Sequence, residues 1–79
     1  MPLFEKFNGI EIHVYYNEHL PAHIHAKYGE YEVLIDIRKL TIYVGKFPSK
    51  PLKNVIVFIK ENQEELLEMF YKFNPELRP

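Results

Sequence analysis

HIHAKYGEYEVLID, running from His23 to Asp36, decides the fold. From His23 to Tyr28 the chain alternates, with Ile24, Ala26 and Tyr28 opposed to His23, His25 and Lys27. That period of two marks a half-buried strand. Gly29-Glu30 is the whole connection to a second strand, Tyr31 to Ile37, and glycine at the first central position suits a type II′ turn. A two-residue loop sets which residues stand opposite each other. Tyr28 then faces Tyr31, Ala26 faces Val33 and Ile24 faces Ile35, all on one face. On the other face Lys27 meets Glu32, His25 meets Leu34 and His23 meets Asp36. The complementary charges of the Lys27–Glu32 and His23–Asp36 pairs support the register independently.

The pattern extends in both directions. Gly9 to Tyr16 places Ile10, Ile12, Val14 and Tyr16 against Glu11, His13 and Tyr15, another half-buried strand. Asn17 and Pro21 make residues 17–22 a loop. A further strand, about Leu40 to Lys46, carries Leu40, Ile42 and Val44 on one side. Beyond Pro48 the period changes: Leu52, Val55, Ile56 and Ile59, continued by Leu66, Leu67, Phe70 and Phe73, form a helical stripe. Ser49 is the expected N-cap, with Pro51 in the first turn, where its missing N–H costs little. Asn62 followed by Glu65 imitates a capping box, so the helix is expected to bend or split near Asn62. Pro75 ends it. The expected fold is therefore α+β, a four-stranded antiparallel β-meander packed on one face by a C-terminal helix, in a single domain spanning residues 1–79.

Composition narrows the chemistry. A 79-residue chain has room for one core only. It contains no cysteine, so a transition-metal site would have to use His, Asp or Glu. The N-terminus lacks an apolar core of signal length, and the longest apolar run, Val55 to Ile59, falls far short of a bilayer span. The expected location is the cytoplasm. A net charge of −1 gives no general support for nucleic-acid binding. The distribution is uneven, however. Arg38, Lys39, Lys46, Lys50, Lys53 and Lys60 occur with no acidic residue among them, and Glu61, Glu64, Glu65 and Glu68 follow. This is either ordinary charge segregation on a solvated helix or a basic lip for phosphate or an acidic partner.

Three of the four histidines, His19, His23 and His25, lie within seven residues. Keeping the apolar faces together puts His13 and Tyr15 on the same side as His23 and His25, and allows Tyr15 to pair with His23 and His13 with His25. The wet face, opposite the helix, would display Tyr15, His13, His23, His25 and Asp36, with His19 on the loop above. Three uses compete with simple hydrogen bonding on an exposed sheet. In the first, Asp36 orients His23 for general acid/base work, with Tyr15 or His25 as a second proton donor. In the second, His23 and His25 bind a divalent metal such as zinc, with His13, His19 or Asp36. In the third, the histidines and tyrosines form an interface with a partner or a second copy. Tyr15 and Tyr43 alone suit a base-stacking surface, whereas Phe70 and Phe73 fit the helix stripe. Gly9, Gly29 and Gly45 are isolated and make no phosphate loop.

Tyr15-Tyr16, His19, Pro21, His23 and His25, then Tyr28-Gly29 and the Leu34-Ile35-Asp36-Ile37 strand, resemble the small bacterial domain-of-unknown-function family numbered four-one-six-zero. Gly45-Lys46-Phe47-Pro48 and the helix with Glu64-Glu65-Leu66 extend the resemblance over nearly the whole chain. Arg38-Lys39-Leu40-Thr41 departs from it in lacking the glycine often seen in that loop. The resemblance implies a cytoplasmic bacterial protein encoded beside a small partner protein in a toxin–antitoxin-like two-gene module, with a toxin-like role directed at RNA. His23, His25, Asp36 and Tyr15 are the expected acting groups. The alternative is a non-catalytic interaction or metal-binding module using the same His/Tyr face, with His23, His25, His13 and His19 as candidate ligands. No membrane partner is expected, and a homodimer is compatible with the small core.

Overall fold

A computed structural model describes residues 3–79. Five strands, not four, form one antiparallel sheet in the order β1-β2-β3-β4-β5: β1 Leu3–Phe7, β2 Ile10–His13, β3 His23–Tyr28, β4 Tyr31–Asp36 and β5 Ile42–Lys46. The additional strand is β1. It turns into β2 through Asn8 and Gly9, at φ 49° and 77°. Positive φ at both central residues is the type I′ geometry that Asn-Gly favours, because its twist matches that of the flanking strands. The β3–β4 register is the expected one at every pair from His23↔Asp36 to Tyr28↔Tyr31. Gly29 has φ 58° while Glu30 is not among the positive-φ residues, as a type II′ turn requires.

Two other strands differ from expectation. The β2 ladder ends at His13 rather than at Tyr16, so Tyr15 pairs with nothing across the sheet. Leu40 takes φ 60° in the turn before β5, and a bulge sets Val44 opposite Leu34 but Ile42 opposite Ile35. Tyr43 is the extra residue. Ile42 and Val44 therefore lie on opposite faces, since Leu34 and Ile35 do.

Ile10, Ile12, Ile24, Ala26, Val33 and Ile35 make the covered face, each fully buried. They pack with Val55 and Ile59 from α1, Ser49–Glu61, and with Leu66 and Phe70 from α2, Gln63–Phe73. Full burial of each of these side chains other than Ala26 is worth roughly 1.5–3 kcal/mol against leaving it in water. The helical stripe does split at Asn62, but not through a capping box. Asn62 Nδ2 donates to Phe58 O at 2.8 Å, closing the end of α1, and no side chain caps α2. At the start of α1 the N-cap is Pro48, so Ser49 is already inside the helix, and no side chain caps that end either. Gln63 Nε2 donates to Ile37 O at 2.9 Å, tying the helix junction to the β4–β5 turn. Among the described residues no helix is long and apolar enough to cross a membrane.

Candidate functional site

Strand parity carries His13, His23 and His25 to the face opposite the core, and His13 stands across from His25 as expected. That face is not wet at this end. His23 is 1% exposed, and His13 and Asp36 are 7% exposed. The loop after β2 folds back over the sheet: the Tyr15 ring meets His25 edge-on at 4.4 Å and stacks parallel to His13 at 5.6 Å. Phe70, Tyr43 and His19 surround the His23 ring at 5.5, 5.8 and 5.6 Å. Tyr15 thus covers His25 instead of pairing with His23.

Glu18 organises the cluster. Its Oε2 meets both His23 Nε2 and His25 Nε2, the latter at 2.8 Å. The backbone of Glu18 is fixed from 56 residues away. Its N–H donates to Asn74 Oδ1 at 2.8 Å, while Asn74 Nδ2 donates to Tyr15 O and Phe70 O at 2.9 Å each. Asn74 is fully buried at the end of α2, and these bonds satisfy its amide. Burial pushes the Glu18 carboxyl up, but hydrogen bonds from His25 and then His23, with their charge, outweigh it and hold it below the ordinary value.

The far nitrogens of both rings are also held. His23 Nδ1 lies 2.7 Å from Pro21 O, and a carbonyl can only accept, so Nδ1 carries the proton. In neutral His23 the Nε2 lone pair would then face the Glu18 carboxylate. His25 has a carboxylate at each end, Glu18 at Nε2 and Glu32 at Nδ1, the latter at 3.1 Å. His23 cannot face Glu18 in this way without an extra proton or a cation between the groups, and a neutral His25 can donate to only one of its two carboxylates.

Other expected site residues do different work. Asp36 stands opposite His23 but does not orient it. Its Oδ1 accepts from the amides of Arg38 and Lys39 at 2.8 and 3.0 Å, closing the turn after β4. His13 Nε2–H donates to Glu11 Oε1 at 2.8 Å, and among the described residues His13 Nδ1 is buried with no partner. The hydrogen bond to His13 holds the Glu11 carboxyl below the ordinary range. Among the described residues, the group whose donor atoms converge within 4.8 Å is Glu18, His23 and His25, without His13 or His19. Glu18 is the residue that the strand pattern misses. A signal existed, since it is the single acidic residue between Glu11 and Glu30 and sits just before the histidines.

Beside the cluster, charges alternate across all five strands in register: Lys6, Glu11, Lys27, Glu32 and Lys46. The Lys27 ammonium lies 5.8 Å from the centre of the Tyr15 ring. Two surface grooves, one lined by Phe4, Glu64, Met69 and Tyr71 and one by Pro21, Asp36 and Leu77, do not include the Glu18–His23–His25 group.

No curated protein and no solved structure matches the chain. A family model, described as a domain of unknown function (DUF4160), matches residues 9–71, taking in β2 to β5, α1 and most of α2 with Glu18 and all four histidines. On that match, which spans well over half of its length, the chain belongs to the DUF4160 family.

Proposed function

We propose that this protein is a binding module for a divalent transition metal of the zinc class, held by His23 Nε2, His25 Nε2 and the Glu18 carboxylate. The observation that carries the reading is the convergence of three donor atoms, a Glu18 oxygen and one nitrogen from each of two imidazoles whose other nitrogens are occupied by Pro21 O and by Glu32. Ligating histidines recur in this arrangement, because a carbonyl or carboxylate on Nδ1 fixes the tautomer and aims the Nε2 lone pair. Imidazole ligands favour zinc-like ions over magnesium or calcium. Around a tetrahedral ion with bonds near 2.0–2.1 Å, donor atoms stand roughly 3.3 Å apart. The 2.8 Å contact between Glu18 and His25 therefore has to open by about half an ångström. Glu18 sits on a loop and can make that step. Three protein donors leave a fourth position for an outside ligand.

The test is a zinc titration of the whole protein followed by calorimetry and by histidine ¹⁵N shifts. One equivalent should bind, moving His23 and His25 while His13 and His19 stay in place. Glu18→Gln should weaken binding by about tenfold or more with the fold intact. Absence of stoichiometric binding, or affinity unchanged from that of the unsubstituted protein in the Glu18→Gln and His25→Ala variants, defeats the reading.

A second reading is the toxin-like, RNA-directed activity of a two-gene module. It is favoured by the two rings flanking the cluster, Tyr15 beside Lys27 and the exposed Tyr43 beside His23. Bases could stack there, with His23, His25 and Tyr15 as the proton-transfer groups. Cleavage of single-stranded RNA by purified protein, lost in His25→Ala, would establish it. Binding of zinc without cleavage leaves the non-catalytic module.

A further inference from the structure

We propose that β5 captures an extended acidic peptide segment of a partner protein by strand addition, and this proposal stands apart from the metal reading. β5 has β4 on one side and, among the described residues, no strand on the other, so half of its backbone N–H and C=O groups face outward in the row that strand addition uses. The apolar side chains of this edge are exposed as well: Ile42 by 45%, Tyr43 by 41% and Val44 by 53%. The opposite edge is built differently. On β1, Phe4 and Phe7 turn inward onto Phe58, with ring centres at 5.9 and 5.1 Å.

Charge identifies the occupant. β5 lies inside the segment from Arg38 to Lys60, which carries six cationic residues and no acidic one. Among the described residues none of those six makes an ion pair with a carboxylate within 4.0 Å. The alternating row across the sheet ends on Lys46, so the next strand should bring an acidic residue opposite it. A second copy of β5 would bring no carboxylate to Lys46, because the segment from Arg38 to Lys60 has none. A nucleic acid would answer the cations with its phosphates and could stack a base on Tyr43, but it would leave the backbone row, Ile42 and Val44 unused.

The experiment titrates the ¹⁵N-labelled whole protein with a blocked heptapeptide of alternating valine and glutamate. A valine/lysine heptapeptide and oligouridine serve as controls. Saturable shifts confined to Ile42–Lys46 and its neighbours on β4, with new amide protection along β5, are expected. Lys46→Glu should weaken binding about tenfold or more, and Lys46→Gln by less, with both spectra otherwise native. The proposal is overturned by no binding at about 1 mM peptide, by shifts elsewhere, or by equal binding of the lysine peptide. Oligouridine shifting the same residues more tightly would make the edge a nucleic-acid surface. Protection of β5 without peptide, with a dimer in sedimentation, would give it to a second copy.

Discussion

Truncating Asn74 to alanine should release the loop that holds Glu18. The side chain makes three hydrogen bonds, to Tyr15 O, Phe70 O and Glu18 N, at 2.8–2.9 Å. Phe70 O keeps a second donor, the backbone N–H of residue 74, so its loss is small. Tyr15 O and Glu18 N keep none from this contact. A buried backbone group left unpaired costs about 1–3 kcal/mol. Tyr15 and Glu18 are only half-buried, so water reaches them and the lower half of that range applies. The sum is roughly 2–4 kcal/mol. A domain of this size holds about 4–12 kcal/mol in all, so the midpoint of thermal unfolding should fall by roughly 10–30 °C. Urea and thermal denaturation followed by circular dichroism measure this directly. Asn62→Ala is the control, since its single bond to Phe58 O closes a helix end without touching the loop; it should cost about 1 kcal/mol or less. Should Asn74→Ala cost no more than Asn62→Ala, or leave the amide shifts of residues 15–18 unmoved, the loop is anchored by something else.

Two further outcomes are expected. Gly45→Ala should destabilise by roughly 2–4 kcal/mol, because a Cβ there would sit 2.4 Å from Glu32 O at φ 102°, whereas Gly29→Ala, with open space at φ 58°, should cost about 1 kcal/mol; chemical denaturation of the two variants checks the difference. Glu11 should titrate below 4.5 in carboxyl ¹³C spectra and return towards 4.5 in His13→Ala, since His13 is its main stabilising partner. Because the folded value is depressed, the stabilisation from this pair is present above 4.5 and is lost as pH falls through the folded value.

The central hairpin was legible because strand parity and a two-residue turn are local: once Gly29-Glu30 is the loop, every pair from Tyr28↔Tyr31 to His23↔Asp36 follows. β1 was missed although it carries the strongest short-range hairpin signal, Asn8-Gly9, which becomes visible only if a strand is granted to the five residues before it. β5 was placed within two residues, but its bulge was not legible. What sends Ile42 and Val44 to opposite faces is Tyr43, the extra residue of the bulge, and one unpaired residue leaves little trace in a hydrophobic pattern.

The site divides along the same line. Parity alone carried His13, His23 and His25 to one face and His13 opposite His25. It also made Asp36 the natural partner of His23, since the two are opposed in the ladder. Cross-strand opposition fixes where a side chain begins and not where its carboxylate ends. Asp36 begins beside two free amides of its own turn, and a short side chain satisfies those first. The vacancy left at His23 is filled from the loop, where Glu18 has a longer reach and a backbone held by Asn74. A contact spanning 56 positions obeys no period, so no reading of spacing could have joined Glu18 to the end of α2. What the sequence did offer was chemical: three histidines in seven residues call for a carboxylate, and Glu18 is the single acidic residue between Glu11 and Glu30.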